Sequence, residues 1–251
     1  AIDPSLLENY LKKIALIKNN KCINKRTNKI IFAVVPVYVF GNSYDIDDLK
    51  RVCKKFKLKI IEDAAEALGT FYKKKHAGTF GDAGCLSFNG NKIITTGGGG
   101  AVLTNDKKIY EYVKKKTFNG KEKHHFELIY EPETLNFRMP DINAALGCAQ
   151  IKKLNYFLSL KRKLANKYKK LFKKNNKIFF IEENLFTKSN YWLNTIRLEN
   201  INLKIRKKIF LKAKKLKIPL RPIWKPLHQI KRLKNCPKSN LQNTNELFKK
   251  I

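Results

Sequence analysis

An acid and a lysine in the segment from Lys57 to Asp106 have the types and setting needed for covalent amine chemistry. Asp63 ends a short apolar run, and Lys92 lies in a turn rich in glycine and asparagine. A carboxylate beside a cationic partner stays ionised. A lysine among small residues can approach a ligand closely, and its amine is a nucleophile toward carbonyl carbons.

Pyridoxal phosphate (PLP) chemistry requires such a pair. A lysine must hold the aldehyde as an imine, an acid must keep the pyridine nitrogen protonated, and donors must bind the phosphate. Lys92 fits the first role, Asp63 fits the second, and Ser87 is a candidate phosphate donor. Each residue taken singly is a weak signal, because a lone lysine in a turn is usually a surface lysine. The run Gly97 to Gly100 fits a flexible turn and is neither a GxGxxG fingerprint nor a P-loop.

The predicted elements around Asp63 form a βαβ unit. Residues 30–35 (IIFAVV) are continuously apolar and β-branched, which predicts a strand buried on both faces and ended by Pro36. Helical spacing over residues 45–56 and a second apolar run over residues 58–61 complete the unit. Ligands of open α/β sheets bind beyond the carboxyl ends of strands, where Asp63 lies.

The same patterns predict the rest of the chain. The helices cover residues 2–17, 106–116, 141–172 and 203–216; a basic loop covers 19–28; and strands cover 85–88, 101–104, 177–181, 191–198 and 218–224. The alternation of strand and helix toward the C-terminus indicates a smaller α+β lobe.

Composition limits the function classes. The 251 residues contain 54 Lys and Arg against 20 Asp and Glu, a net charge of +34. The lysines are dispersed and accompany abundant Asn and Ile, so a codon bias explains them better than a nucleic-acid partner does.

No apolar run spans a bilayer and no signal pattern is present, which predicts a cytoplasmic protein. Five cysteines without a CxxC pair predict free thiols and no zinc site; Cys85 and Cys148 are expected in the core.

Three blocks of sequence resemble the DegT/DnrJ/StrS family of PLP-dependent nucleotide-sugar aminotransferases. They are IEDAAEALG, HAGTFGDAGCLSFNGNKIITTGGGGAVLTND and NFRMPDINAALGCAQ, in the family's order and spacing. The resemblance implies the α/β fold type I of PLP-dependent transferases, which is aspartate aminotransferase-like: a mostly parallel seven-stranded sheet, a smaller C-terminal α+β lobe and a homodimer with shared active sites. Residues 1–140 are then the remainder of the large PLP-binding domain, and residues 141–251 are a long connecting helix and the small domain.

The resemblance also implies roles for single residues. Lys92 in SFNGNK matches the Schiff-base lysine, and Asp63 in EDAAEA matches the acid at the ring nitrogen. Glu66 takes the place beside the cofactor's ring hydroxyl, where many relatives have Gln. Ser87 matches the phosphate-binding serine, and Asn136 in LNFRM matches the asparagine that reaches the neighbouring subunit's cofactor phosphate. A dehydratase branch has His at the lysine position, so Lys92 favours transamination.

The segments SFNGNKIITTGGGG and RPIWKPLH, together with Glu66, resemble one branch of this family. That branch aminates C4 of a UDP-linked 4-keto-6-deoxy-N-acetylhexosamine, with glutamate as amino donor, for bacillosamine-type or legionaminic-type surface glycans. For Trp224 and His228 the favoured interpretation is packing inside the lobe, with substrate contact as the alternative.

The sequence departs from the family pattern in several places. It begins where members are already well into the large domain and stops shortly before their usual end, so truncation, poor PLP binding and slow or absent turnover are expected. Tyr38 stands where relatives often have His, and Thr134-Leu135 replace Gly-Phe or Gly-Tyr before Asn136. Two other function classes stay open: a non-catalytic PLP-fold scaffold or sensor, and a basic nucleic-acid-binding protein.

Overall fold

The computed structural model describes residues 1–118, 126–127, 133–199 and 202–251. The helices are α1 (Pro4–Ile14), α2 (Ile46–Lys55), α3 (Lys107–Thr117), α4 (Asp141–Ile151), α5 (Leu154–Phe172), α6 (Leu203–Lys215) and α7 (Gln242–Lys250). The strands are β1 (Ala15–Lys18), β2 (Lys21–Asn24), β3 (Ala33–Val34), β4 (Lys59–Asp63), β5 (Phe71–Tyr72), β6 (Lys75–His76), β7 (Ala83–Ser87), β8 (Gly100–Leu103), β9 (Ile178–Phe180), β10 (Thr187–Lys188) and β11 (Ile196–Leu198).

The chain divides into two compact units. The first comprises residues 1–163 and 183–193, and the second comprises residues 164–182 and 194–251. The proposed division of the family fold at residue 140 stays a prediction. Among the helices that the structure describes, none combines the length and the apolar character needed to cross a lipid bilayer.

A four-stranded sheet in the order β3-β4-β7-β8 positions the acid in the first unit. β3 and β7 both run parallel to β4, and β8 returns antiparallel to β7. This is the mostly parallel α/β arrangement that was predicted. Within the described part of the chain the sheet has four strands, rather than the seven that the family resemblance implied.

Helix α2 forms as predicted and covers one face of this sheet. The carboxylate of Asp45 accepts a hydrogen bond from the N–H of Asp48 over 3.0 Å, which caps the first turn. Ile46, Leu49 and Val52 are buried at helical spacing in the main hydrophobic core. The predicted βαβ unit of β3, α2 and β4 is therefore confirmed.

The first helix is shorter than predicted. Residues after Ile14 leave the helix and pair as the β1–β2 hairpin, so part of the expected basic loop is strand. Asn19 and Asn20 make the turn with φ of 49° and 58°. Asparagine tolerates this left-handed conformation, and consecutive positive φ values suit a tight hairpin.

The predicted buried strand over residues 30–35 is wrong in its extent and its burial. Only Ala33 and Val34 form β3, while Phe32 and Val35 are 68% and 59% exposed. The reason is that β3 lies at the edge of the four-stranded sheet. Pro36 does not end the pairing, because its carbonyl still accepts the N–H of Asp63 over 2.9 Å.

Three predictions for the C-terminal half also need correction. The helix over residues 141–172 is divided into α4 and α5. The strand over residues 191–198 shrinks to β11, because Tyr191 has a φ of 46° that no strand accommodates. Residues 218–224 form no strand, since Pro219 and Pro222 lack the N–H groups that a ladder needs.

The second unit is a small α+β structure. β9 and β11 pair antiparallel, and α6 and α7 accompany them. The guanidinium of Arg206 donates to the carbonyl of Phe248 over 2.8 Å, and Lys250 forms an ion pair with Glu199 over 2.7 Å. These contacts join α7 to both α6 and the end of β11.

Candidate active site

Asp63 is held at the carboxyl end of β4 from both sides. Its N–H donates to the carbonyl of Pro36, and its carbonyl accepts the N–H of Tyr38 over 3.1 Å. Across β4 and β7 it is in register with Cys85. Its half-buried carboxylate accepts the N–H of Ala65 over 3.2 Å. A carboxylate has about four lone-pair sites, so Asp63 retains capacity for a ligand.

Glu62 faces the opposite side of β4, because side chains alternate along a strand. Its carboxylate is fully buried and binds four donors. They are the hydroxyl of Tyr38 and the N–H groups of Gly78 (2.9 Å), Phe80 (2.6 Å) and Gly81 (2.6 Å). Burial, reinforced by Tyr44 and Glu62, raises the pKa of Tyr38 far above its ordinary value. Glu62 thus links β4 to the segments that contain Tyr38 and residues 78–81. Its burial on one face orients Asp63 toward the other face.

Ser87 lies at the same edge of the sheet as Asp63. It ends β7 two residues beyond Cys85, so Asp63, Cys85 and Ser87 project from one face. Asp63 also contributes, after burial, to the raised pKa of Cys85. The hydroxyl of Ser87 accepts a long hydrogen bond of 3.4 Å from the N–H of Asn89. The structure therefore brings the predicted acid and the predicted serine together.

Hydrogen bonds order the loop that carries Lys92. The N–H of Phe88 donates to the carbonyl of Gly99 over 2.9 Å, and the N–H of Thr95 donates to the side chain of Gln150 on α4 over 3.0 Å. Gly97 and Gly99 have φ of 79° and 105°, values that residues with a side chain rarely adopt. The glycine run therefore serves a specific turn rather than an irregular one.

Lys92 rests on an aromatic ring. Its Nζ lies 4.3 Å from the ring centroid of Trp192, a cation–π contact. Toward the described residues, this amine forms no hydrogen bond and no ion pair. Trp192 is 3% exposed, and its Nε1–H donates to the carbonyl of Asn91 over 2.7 Å.

The segment that carries Trp192 is anchored by buried polar groups. Asn190 is fully buried, and its amide donates to the carbonyl of Glu66 over 2.8 Å and accepts the N–H of Trp192 over 2.8 Å. Lys161 donates from Nζ to the carbonyl of Trp192 over 2.9 Å, and burial lowers the pKa of Lys161. Arg162 binds the carbonyl of Ser189 over 2.7 Å.

Glu66 supports a strained turn. Its Oε2 accepts the N–H of Phe40 over 2.7 Å, and Phe40 has a left-handed φ of 59°. A charged acceptor at this N–H helps to hold an uncommon backbone conformation. The role of Glu66 beside a cofactor ring hydroxyl stays a prediction.

The remaining predicted residues lie elsewhere. Asn136 is exposed and forms an isolated antiparallel bridge with Phe118, so its role toward a second subunit stays a prediction. In the second unit, Trp224 is 47% exposed beneath the guanidinium of Arg221, which excludes packing in a lobe interior for this residue. His228 contacts the side-chain oxygen of Asn245 over 2.9 Å.

A separate cavity of about 820 Å³ lies in the first unit between β7, β8, α3 and residues 137–143. Cys85 lines this cavity, whereas Asp63, Ser87 and Lys92 do not. All five cysteines are free, as predicted, but Cys85 and Cys148 are exposed, so their predicted core positions are wrong. Small neighbours in the sequence do not predict whether a helix covers the face of the sheet on which a cysteine lies.

Sequence reasoning did not find the roles of Glu62, Tyr38, Trp192 and Asn190. The paired acids at the end of β4 were a signal for one buried acid, since adjacent strand residues face opposite sides. The polar pair Ser189-Asn190 beside Tyr191-Trp192 was a signal for buried hydrogen bonding, because such residues are buried only when paired.

Comparison with known proteins gives a consistent assignment. The sequence profile of the DegT/DnrJ/EryC1/StrS aminotransferase family matches residues 9–251. The chain is 36% identical over 206 residues to EpsN of Bacillus subtilis (strain 168), which is assigned as a pyridoxal phosphate-dependent aminotransferase; the match covers 81% of this chain and 52% of EpsN. It is 33% identical over 235 residues to the UDP-4-amino-4,6-dideoxy-N-acetyl-beta-L-altrosamine transaminase of Helicobacter pylori (strain ATCC 700392 / 26695), covering 89% of this chain and 62% of that protein.

A solved structure supports the same assignment. Helicobacter pylori PseC, an aminotransferase involved in the biosynthesis of pseudoaminic acid, superposes with a TM-score of 0.79 at 30% identity, over 93% of this chain and 64% of PseC. The chain thus spans about half to two thirds of the length of these relatives. The resemblance and the fold class predicted from the three sequence blocks are confirmed. The chain belongs to the DegT/DnrJ/EryC1/StrS aminotransferase family.

Proposed function

We propose that this protein is a PLP-dependent aminotransferase that moves the amino group of glutamate to the C4 keto group of a nucleotide-linked 4-keto-6-deoxy sugar. The product is a precursor of a surface polysaccharide or glycan. The observation that carries this proposal is the half-buried amine of Lys92, which rests on Trp192 without an ion-pair or hydrogen-bond partner among the described residues. A lysine amine that no ion pair holds can lose its proton and then bond to an aldehyde carbon.

Two other predicted site residues, Asp63 and Ser87, have the chemistry that PLP needs. Asp63 projects from the same sheet face as Ser87 and retains acceptor sites for a protonated ring nitrogen. The hydroxyl of Ser87 accepts one long contact and can donate its proton to a phosphate oxygen. The acid and the hydroxyl at this edge of the sheet fit the pyridine nitrogen and the phosphate of the cofactor, and the amine of Lys92 fits its aldehyde.

Each residue then has a defined task. When bound, PLP supplies an electron sink for the carbon that gains or loses the amino group. Lys92 holds the aldehyde carbon between turnovers, and its displaced amine moves a proton. Asp63 keeps a proton on the ring nitrogen, because an ionised acid beside a cation is stable. We assign Glu66 to the ring hydroxyl, Ser87 to the phosphate and Asn136 to the phosphate of a second subunit's cofactor.

The transfer balances without an external oxidant or reductant. The Cα of glutamate is oxidised to a ketone and leaves as 2-oxoglutarate, while C4 of the sugar is reduced from ketone to amine. The nitrogen passes from glutamate to C4, and the keto oxygen is exchanged through water. Residues 1–140 supply the cofactor site in this scheme, and the active form is a cytoplasmic homodimer.

The proposed substrate class draws on the relatives. The Helicobacter pylori protein is named for a UDP-linked N-acetyl amino sugar. A second relative, at 37% identity over 204 residues, is the GDP-perosamine synthase of Escherichia coli O157:H7, covering 81% of this chain and 54% of that protein. Both names specify a nucleotide-linked sugar, and the first agrees with the UDP branch indicated by the sequence.

Borohydride trapping tests the cofactor site. The full chain is mixed with PLP, reduced with borohydride and digested, and the labelled peptide is identified. We expect the label on Lys92 and its loss in Lys92→Ala, with Lys114→Ala as a control on α3. Label spread evenly over the lysines would contradict the assignment of Lys92.

Turnover is tested separately, with glutamate and a panel of UDP- and GDP-linked 4-keto sugars. Formation of 2-oxoglutarate together with an amino sugar would support the proposed transfer, at a rate as slow as the departures from the family pattern predict. PLP bound at Lys92 with no amino transfer to any sugar would instead support a non-catalytic scaffold or sensor.

A further inference from the structure

The contact between Lys92 and Trp192 joins two segments that are far apart in the sequence. The ring of Trp192 lies under the amine of Lys92, and the indole N–H donates to the carbonyl of Asn91, the residue just before Lys92. One side chain therefore contacts both the amine and the backbone of the same loop. A residue that only filled space would not need both contacts.

Trp192 is itself held rigidly. Its N–H donates to the side chain of Asn190, and its carbonyl accepts the ammonium of Lys161. Asn190 is fully buried and also donates to the carbonyls of Glu66 and Leu68, over 2.8 Å and 2.9 Å. The ring thus has a fixed position relative to the loop that follows Asp63 at the end of β4.

We propose that Trp192 is a positioning residue for Lys92: its indole N–H fixes the turn, and its ring face holds the amine. This inference rests on the proposed function, because Lys92 is the residue that bonds to the cofactor there. A lysine side chain has four rotatable bonds, and ordering it has a large entropic cost. A ring face orders the cation without a competing carboxylate, which would tie up the amine in an ion pair.

Three variants of the full chain separate positioning from simple packing. Trp192→Phe keeps a ring face and removes the indole N–H, and Trp192→Leu removes both. Trp224→Leu is the matched control, since Trp224 is the other tryptophan and lies in the second unit. Thermal unfolding is recorded for every variant, so that loss of the fold is recognised.

The first measurement needs no cofactor. Trace acetylation with acetic anhydride, followed by peptide mapping, gives the reactivity of Lys92 relative to the other lysines of the same molecule. In Trp192→Leu this ratio should change by about two- to fivefold, the range expected for loss of a cation–π contact. Trp192→Phe should lie closer to the unmodified chain, and Trp224→Leu should equal it. An unchanged ratio in a folded Trp192→Leu overturns the inference.

The second measurement uses PLP and borohydride. The share of label on Lys92 should fall severalfold in Trp192→Leu and be largely retained in Trp192→Phe. If the unmodified chain shows no preference for Lys92, the proposed function fails. The acetylation ratio still tests whether Trp192 positions Lys92. Equal shares in the unmodified chain and in Trp192→Leu overturn the inference and leave the proposed function intact.

A reciprocal variant applies if Trp192→Leu does not fold. In a Trp224→Phe background, Trp192 is the sole source of tryptophan fluorescence. Lys92→Met then removes the cation over the ring, and we expect a change in emission intensity or wavelength. Lys114→Met serves as the control. Identical spectra for Lys92→Met and its parent overturn the inference.

Discussion

The hydroxyl of Tyr38 donates a hydrogen bond to the buried carboxylate of Glu62, the residue immediately before Asp63. The same carboxylate accepts three backbone N–H groups from residues 78–81. Glu62 thereby connects the segment between β3 and α2, the end of β4 and the loop before β7. The acid assigned to the cofactor is held by its neighbour in the sequence.

Replacing Tyr38 by Phe should destabilise the fold. The ring still fills its buried site, but Glu62 loses one donor, and hydrogen bonds to charged groups contribute about 1.5 to 3 kcal/mol. Urea unfolding should show a loss of this size. Tyr112→Phe, at an exposed site on α3, should change stability by less than about 0.5 kcal/mol. Equal stability of the two variants would contradict the role given to Tyr38.

Glu8 should give the chain a pH-dependent stability. Its carboxylate bonds to Lys55 and Arg51, each over 2.7 Å, and these contacts lower its pKa from 4.5 to about 2. Because the folded pKa is the lower one, the stabilisation is complete above pH 4.5 and is lost as the pH falls toward 2. Urea unfolding of the unmodified chain and of Glu8→Gln at several pH values measures it. The difference between them should shrink through this window, and a difference that stays constant from pH 4.5 to 2 would contradict the prediction.

Alanine at Gly99 should strain the loop of Lys92. Gly99 has a φ of 105°, and an added Cβ would lie 3.0 Å from the Cε of Met139. We expect a loss of about 1 to 2 kcal/mol in unfolding free energy. Gly90→Ala is the control in the same loop, because a Cβ there meets no atom within 4 Å. A larger loss at Gly90 than at Gly99 would show that backbone conformation does not govern this loop.

Substituting Arg162 should loosen the segment that carries Trp192. Its guanidinium binds both carboxylate oxygens of Glu183, over 2.8 Å and 2.9 Å, and also the carbonyl of Ser189. Lysine keeps the charge but cannot make the paired contact. Hydrogen exchange of residues 189–193 should accelerate about tenfold in Arg162→Lys, the ratio that corresponds to a loss of about 1.4 kcal/mol. Arg26→Lys in the basic loop should leave this exchange unchanged.

The local sequence pattern was sufficient to predict that Asp63 ends a strand and that Lys92 lies in a turn. Asp63 ends the apolar run that forms β4, and Lys92 lies in the glycine-rich loop after β7, so strand ends and turn residues were enough to predict both positions. The ladder of β4 and β7 then explains why Ser87 lies near Asp63. Periodicity and turn chemistry are short-range signals, and these residues depend on them.

Contacts between distant segments were not predictable in this way. Trp192 reaches Lys92 across about 100 positions of sequence, and no local period records that contact. The prediction that residues 30–35 are buried was wrong for a related reason. The apolar side chains of Phe32 and Val35 are suited to burial, but their exposure depends on which strand lies beside β3.

The back-to-back arrangement of Glu62 and Asp63 has an evolutionary consequence. A single-residue insertion or deletion upstream in β4 would exchange the two side chains, so that the anchoring carboxylate would point outward and the shorter one inward. The chain would still carry an acid on each face, but neither would have the length its surroundings require. Drift in this strand is therefore restricted to substitutions.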